Sequence, residues 1–258
     1  MSLFTTIGEW ANIILDPVFR PIAGLGPFWA TLIISFLISL LITVIYKYTT
    51  DQAMMKNLKD TMKRLQQEAK ASRSDPAKMM RINKETMEKN MSYMMHSLKA
   101  TLYTFIPIIL IFSWLNVNMA YEPIQPGMNF DTNMYLKEGV KGSVRLDAPG
   151  FEAVSGNLTQ EILNNKVGWT LKSGKEGIYT LAYSLENKDY FTEVLIKKDM
   201  GYKMPMKMIK DGIVNYIEVV HKKIIVMNLF GWKVGWLGGY IIFSLIFSLG
   251  LRKLMKVY

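Results

Sequence analysis

The chain has 258 residues, 50% of them hydrophobic, with 31 basic and 21 acidic side chains and a net charge of +10. It contains no cysteine, which excludes a disulfide scaffold, a thiol nucleophile and a thiolate metal site. The two histidines, His96 and His221, stand in no spacing that sets a base beside a nucleophile or a metal, so we predict no enzyme, cofactor or metal site.

Residues 1–22 predict an amphipathic helix that lies along a membrane interface. Its apolar positions share one helical face, and they are Phe4, Ile7, Trp10, Ala11, Ile14, Val18 and Phe19. Pro21 and Gly24 end this pattern, because neither favours continuation of a helix.

Three uncharged apolar runs follow, at residues 28–46, 102–121 and 234–251. A helix rises ~1.5 Å per residue, so about 20 residues cross a hydrocarbon core ~30 Å thick. Three such runs in one chain favour membrane-spanning helices, at 27–46, 100–121 and 231–252, over buried helices of a soluble protein.

The basic residues between the spans predict the orientation. Residues 47–99 carry 12 basic and 6 acidic side chains, whereas residues 122–223 are nearly balanced, with 14 basic and 13 acidic. Basic loops stay on the cytoplasmic side of a membrane, so residues 47–99 and the tail 253–258 are predicted to be cytoplasmic, with the N-terminus and residues 122–230 outside. We predict a multi-pass protein of the plasma membrane.

Residues 47–99 predict a basic, Met-rich coiled-coil hairpin. The first arm repeats apolar residues at steps of three and four, at Met55, Leu58, Met62, Leu65 and Ala69. The returning arm carries Met80, Met87, Met91, Met94 and Leu98 on the same predicted seam. Pro76 suits the first turn of that arm, with Ser74 or Asp75 as its cap.

Nine of the 19 methionines lie in this hairpin, and two readings of them stay open. They fill a small two-helix core, or several stay exposed, because two helices bury only one stripe each, and bind varied apolar segments or dock on anionic RNA or lipid. A Cu(I) site at three of them lacks a second cluster of soft ligands. The predicted substrate or ribosome contacts are Met54, Met55, Met79, Met80, Met91, Met94, Met95, Lys59, Lys63 and Arg64.

Residues 122–230 change periodicity and predict a small antiparallel β domain. Residues 142–146, 167–172, 178–183 and 190–197 are rich in β-branched and aromatic residues, with turn signals between them. A weaker extended stretch covers 213–227. No paired carboxylates occur at a catalytic spacing, so a lid or binding module is favoured over an enzyme.

The spans carry hydroxyl groups at helical spacing. Thr31, Ser35, Ser39 and Thr43 recur every fourth residue and share one face of the first span, the hydroxyl stripe. Such groups either bond across helices or line a wet groove. The predicted groove lining is Thr31, Ser35, Ser39, Thr43, Thr104, Ser244 and Ser248. Gly231, Gly235 and Gly239 predict close helix packing at the start of the third span.

The order of these parts resembles the YidC/Oxa/Alb membrane insertase superfamily, and most closely its archaeal YidC-like branch. The likeness rests on Asp16-Pro17, on Ser74-Asp-Pro-Ala-Lys-Met-Met80 and on residues 235–253, and it covers about residues 1–120 and 228–258, with the β domain as an insertion. Bacterial members have five core spans and an arginine in the groove, whereas this chain has three predicted spans and no charge between Phe28 and Tyr46.

The resemblance implies an insertase or chaperone with a hydrophilic groove open to the cytoplasm and to lipid. Such a groove shelters the polar parts of a nascent segment while they cross, without nucleotide hydrolysis. The implied partners are nascent membrane proteins, the ribosome, a translocon, anionic lipid and further copies of the chain. Two alternatives stand beside it: a signal transducer with an external β sensor, and an ion channel lined by the hydroxyl groups.

Overall fold

A computed structural model describes residues 3–72 and 74–257, with side chains from residue 11 onward. The predicted contacts of Phe4, Ile7 and Trp10 therefore lie outside the described side chains. The helices in the described residues are α1 (Leu3–Ala23), α2 (Pro27–Thr49), α3 (Gln52–Ala71), α4 (Pro76–Met119) and α5 (Trp236–Leu254). Among them, α2, α4 and α5 are long and apolar enough to cross a membrane.

The helix boundaries follow from local chemistry. Pro27 opens α2, and Asp51 caps α3 by accepting a 3.0 Å hydrogen bond from the Met54 amide. Asp75 caps α4 in the same way, with the Lys78 amide at 3.0 Å, and Pro76 follows at the first helical position. The turn between α3 and α4 thus lies where the sequence predicts it.

The hairpin formed by α3 and the first half of α4 buries a different face of α4 from the predicted seam. On α3 the seam is right, since Met55, Leu58 and Leu65 are buried. On α4 the seam is wrong, because Met80, Met87, Met91, Met94 and Leu98 are all exposed. The more enclosed face of that arm instead carries Met79, Ile82, Thr86, Tyr93 and Ala100.

Two satisfied hydroxyls make this polar face of α4 compatible with packing. Thr86 donates to the Ile82 carbonyl at 2.8 Å and Ser97 to the Tyr93 carbonyl at 2.9 Å. A hydroxyl bonded to its own helix loses little on burial, so apolarity alone does not identify the packed face. Helix α4 then continues without a break into the second span.

Helix α2 packs against both α4 and α5, and α1 lies across α4. Ala11, Phe19 and Ala23 of α1 are buried in one cluster with residues of α2 and α4. Ile14 and Val18, predicted on the same face, are exposed. Helix α1 therefore packs on the spans with one side and leaves apolar residues open on another.

Residues 129–219 form two antiparallel sheets that enclose one core. Their strands are β1 (Asn129–Leu136), β2 (Ser143–Asp147), β3 (Phe151–Ala153), β4 (Thr159–Glu161), β5 (Lys166–Ser173), β6 (Gly177–Leu185), β7 (Lys188–Ile196), β8 (Met206–Met208) and β9 (Val214–Val219), and two further strands follow, β10 (Ile225–Leu229) and β11 (Trp232–Gly235). The sheet orders are β3-β5-β1-β9-β8 and β4-β2-β6-β7. Between them Trp169 stacks edge-on against Tyr183, with ring centroids 5.7 Å apart.

Strands β10 and β11 form a separate two-stranded hairpin directly before α5. Its turn contains Gly231, and Gly235 is the N-cap of α5, so neither lies within the helix. The predicted helix-packing face of three glycines is therefore wrong except at Gly239. A methyl group added there would lie 3.3 Å from Thr31 Cγ2, so α2 and α5 approach closely at that point.

Candidate functional site

A row of exposed apolar side chains runs along α4, and we call it the methionine track. Its members are Met80, Met87, Met91, Met94, Leu98, Leu102, Phe105 and Ile109, which are 36–75% exposed. At 3.6 residues per turn they all lie within ~40° of one direction around the helix axis. From Met80 to Ile109 the track extends for ~44 Å at ~1.5 Å per residue.

The two halves of the track lie in different parts of the fold. Leu102, Phe105 and Ile109 belong to the apolar run that fits a membrane span, where lipid tails cover exposed apolar groups. The methionines belong to the basic hairpin, where no helix of the described chain covers them. Because one helix carries both halves, the track runs from the hairpin surface to the lipid-facing surface of α4 along a single element.

Methionine suits a surface that receives varied apolar segments. Its unbranched thioether side chain adapts to different partners and gains contact area on binding. Met95, 57% exposed, widens the track on one side, and Met54 of α3 is exposed as well. Of the predicted contact residues, Met80, Met91 and Met94 therefore lie on the track, Met95 lies at its edge and Met54 is exposed on α3.

Met55 needs a correction among the predicted contacts. It is 1% exposed and clusters with Tyr46, Ala100 and Val257, so it holds the base of the hairpin against the membrane helices. Met79 is only partly exposed and lies on the enclosed face of α4. Lys59, Lys63 and Arg64 are exposed on α3 and give the hairpin a basic surface beside the methionines.

The hydroxyl stripe of α2 is buried between helices. Thr31, Ser35, Ser39 and Thr43 are 0–3% exposed. Thr31 donates to the Pro27 carbonyl at 2.8 Å and Thr43 to the Ser39 carbonyl at 2.7 Å, so both are satisfied within α2. This burial corrects the expectation of an open, wet lining.

The other two hydroxyls of the stripe, those of Ser35 and Ser39, make no hydrogen bond within α2. The Ser39 hydroxyl donates a long bond, 3.5 Å, to the Ser244 carbonyl of α5, and Ser35 Oγ has no hydrogen-bond partner among the described atoms. Thr104 is buried and bonds to the Thr101 carbonyl at 3.0 Å, while Ser244 and Ser248 are partly exposed. A groove role for these residues stays a prediction that requires α5 to move away from α2.

At the hairpin end, α2, α4 and α5 are joined by polar and cation–π contacts. The Tyr46 hydroxyl lies 3.1 Å from Ser97 Oγ, and the Arg252 guanidinium stacks over the Tyr46 ring at 5.0 Å from its centroid. These contacts join the three helices at the level of Met94 and Leu98 of the methionine track.

At the opposite end, polar pairs fasten α1 to α4. Trp114 Nε1 donates to Asp16 Oδ1 at 2.7 Å, and Arg20 pairs with the same carboxylate at 3.1 Å. Asn118 donates to Asn12 Oδ1 at 3.3 Å. Asp16 was noted in the sequence only within its Asp-Pro dipeptide, because nothing in the sequence spacing links it to a tryptophan 98 residues away.

The fold is that of an integral membrane protein, with three candidate membrane helices and a β-rich C-terminal region. Residues 12–133 match the family model of integral membrane proteins described as EMC3/TMCO1-like, a family in the Oxa1/YidC-related insertase group that is linked to insertion or chaperoning. The match includes most of α1, all of α2, α3 and α4, and the first part of β1, just under half of the 258 residues. No curated protein and no solved structure matches the chain.

Proposed function

We propose that the chain is a membrane-protein insertase of the archaeal YidC-like type. The observation that carries the proposal is the methionine track, an exposed apolar row between a basic hairpin and the lipid-facing side of a membrane helix. Exposed Lys84 interrupts it between Met80 and Met87, and it is uninterrupted from Met87 to Ile109. The family match supports it, because residues 12–133 include the complete track. In this proposal the protein spans the plasma membrane with its N-terminus and β domain outside and its hairpin and C-terminus in the cytoplasm.

In the proposed mechanism, a nascent apolar segment first binds the methionines of the hairpin. It then moves along α4 toward Leu102 and Ile109, where lipid replaces water around it. Burial of apolar area drives this transfer at about 25 cal/mol per Å². No bond is made or broken and no nucleotide is consumed, so the protein acts as a chaperone rather than an enzyme.

The nascent protein that is inserted, the client, also carries polar residues beside its apolar segment, and their transfer into the membrane costs the most free energy. A charged side chain at the centre of a bilayer costs about 3 kcal/mol on insertion scales. We propose that separation of α5 from α2 exposes the hydroxyl stripe and offers those polar residues hydrogen-bonding partners. Ser35 is suited to this role, because its hydroxyl lacks a partner in the closed bundle.

The proposed partners follow from the same surfaces. Nascent membrane proteins bind the track, whereas the ribosome and anionic lipid headgroups bind the basic side chains Lys59, Lys63 and Arg64. A translocon and further copies of the chain are proposed neighbours in the membrane. The ion-channel alternative gains no support from the hydroxyl stripe, because its four side chains are packed between helices.

Site-specific photocrosslinking during synthesis of a short single-span client tests the proposal. A crosslinker at Met91 should trap the client, whereas one at Asn90, which is exposed on the same arm but off the track, should trap much less. Reconstituted vesicles with and without the protein should then differ in client insertion. Equal trapping at both positions, or insertion that does not depend on the protein, would contradict the proposed function.

A further inference from the structure

The β10–β11 hairpin presents aromatic side chains that no part of the described chain covers. Phe230, at its tip, is 108% exposed, and Trp232 is 64% exposed. Leu229 next to them is also exposed. A soluble surface seldom leaves adjacent large apolar groups open unless a partner covers them.

The opposite face of this hairpin is packed on α5. Val226 and Val234 are buried, and a methyl group added at Gly239 would lie 3.1 Å from Val226 Cγ1. One added at Gly238 would lie 2.8 Å from Val234 Cγ1. The hairpin therefore contacts α5 at its third and fourth residues.

The length of α5 fixes the depth of that contact. The helix has 19 residues, so it extends for ~28 Å and needs its whole length to cross a hydrocarbon core ~30 Å thick. Its first turn must then lie at the boundary between headgroups and acyl chains. A hairpin packed on Gly238 and Gly239 lies at the same boundary.

The turn residues point to a role for Phe230 outside the protein. Phe230 and Gly231 have φ angles of 51° and 91°, the left-handed values of a tight hairpin turn. Asn or Asp normally precedes Gly in such a turn, and a bulky side chain with a positive φ is strained. Since the phenyl ring makes no ring contact among the described residues, no internal packing offsets that strain.

We propose that the β10–β11 hairpin is a membrane anchor that inserts Phe230 and Trp232 among the acyl chains of the adjacent leaflet. Tryptophan favours this depth, where its ring is buried and its polar edge stays wet, and the wholly apolar ring of Phe230 suits the acyl chains. Lys233, exposed between Trp232 and the packed Val234, lies at the level of anionic phosphates. The anchor is independent of the proposed insertase activity, because it requires only that α5 spans the bilayer.

The absence of cysteine allows a direct test with single-cysteine variants. Phe230→Cys, labelled with an environment-sensitive fluorophore, is reconstituted into vesicles of phosphatidylcholine and phosphatidylglycerol. The control is Leu163→Cys, 68% exposed in the turn beside Lys166, which pairs with Tyr135 near the far end of β1. We expect blue-shifted emission at position 230, quenching by spin labels on the acyl chains and protection from iodide, with the reverse at position 163. Iodide quenching and emission at position 230 equal to those at 163 would overturn the anchor.

A second variant separates the anchor from the fold of the hairpin. Phe230→Asn keeps a side chain that the turn favours but removes the ring. With the fluorophore on Trp232→Cys, this substitution should raise iodide quenching severalfold while circular dichroism stays unchanged. Unchanged quenching at position 232 would show that Phe230 does not hold the hairpin in lipid.

Discussion

Helices α2 and α4 distribute polarity in opposite ways. On α2 the hydroxyl stripe is buried against its neighbours, whereas on the hairpin half of α4 the methionines face outward. The buried hydroxyls Thr31 and Thr43 bond to carbonyls of their own helix, so their burial costs little. The exposed methionines have no burial within the described chain, and the proposed function assigns them the role of binding an apolar client. Side-chain polarity alone therefore does not tell which helix face is packed and which is free.

The largest expected difference comes from truncating one buried and one exposed methionine. Met55→Ala should lower the free energy of unfolding by about 2–4 kcal/mol, because it opens a cavity in the cluster with Tyr46 and Val257. Met94→Ala should change it by less than ~0.5 kcal/mol, because that side chain is exposed. Thermal unfolding in detergent measures both variants, and similar losses would mean that the track is packed in solution.

Charging the track tests its role as a binding surface. The triple substitution of Met87, Met91 and Met94 by Asp should lower client crosslinking and insertion at least ~10-fold, because an apolar client then meets three carboxylates in place of apolar area. Helical content should stay close to that of the parent chain, since all three side chains are exposed. Crosslink yield and protease protection of the inserted client measure the effect.

The matched control for that variant adds the same charge to the other arm. Asn57, Gln66 and Gln67 are exposed on α3, and their substitution by Asp leaves the track intact. Crosslinking and insertion should stay within about twofold of the parent chain. An equal loss in this control would assign the effect to net charge rather than to the track.

On the α2 side, Ser35→Ala should be neutral or should raise the free energy of unfolding by about 1 kcal/mol. The substitution removes a buried hydroxyl that has no partner, and such a group costs free energy. Unfolding in mixed micelles measures the change, with Ser39→Ala as a neighbour that loses only a long bond to the Ser244 carbonyl. Destabilisation by Ser35→Ala would reveal a partner that the closed bundle does not display.

The smallest expected change in stability concerns Asp211, which lies in the β domain and not in the membrane helices. A hydrogen bond from the Tyr190 hydroxyl, with amide bonds from Val214 and Ile213, lowers the pKa of Asp211 from 3.8 to about 2. Because the folded-state pKa is depressed, this stabilisation is present above about pH 4 and is lost as the pH falls toward about 2.

The Asp211→Asn variant isolates that contribution. It should be about 1 kcal/mol less stable than the parent near neutral pH, after allowance for solvent screening of a partly exposed carboxylate. The difference should shrink as the pH falls through about 2, because Asp211 is already protonated in the unfolded state there and becomes protonated in the folded state. Denaturant unfolding followed by near-ultraviolet circular dichroism measures it, and a difference that does not change with pH would argue against the depressed pKa.

The elements with strong local signals were predictable from the sequence. The apolar runs identify α2, the second half of α4 and α5, and Pro76 marks the start of α4. Strand β1 was missed, because Asn129, Asp131 and Asn133 are poor strand formers. Its inward side chains Phe130 and Met134 become recognisable only once β5 and β9 pair with it.

The candidate site was predicted in composition but not in geometry. The hairpin methionines were singled out, yet the spacing of three and four is compatible with two neighbouring faces of one helix. Which face packs depends on α3 and on hydroxyls such as Thr86 and Ser97, whose partners lie in their own helix. Likewise the hydroxyl stripe has the spacing of a groove lining and also that of a helix interface, and only the position of α5 distinguishes them.

Helix α4 runs for 44 residues from Pro76 to Met119, which makes it ~66 Å long. Because this helix is continuous, a displacement of its hairpin end would be transmitted to its other end, where Trp114 and Asn118 hydrogen-bond to α1. Pro107 is the one place along its length where a backbone hydrogen bond is missing from the helix by covalent structure. Bending of α4 would therefore be concentrated at Pro107, within the candidate membrane span and two residues before Ile109, where the methionine track ends.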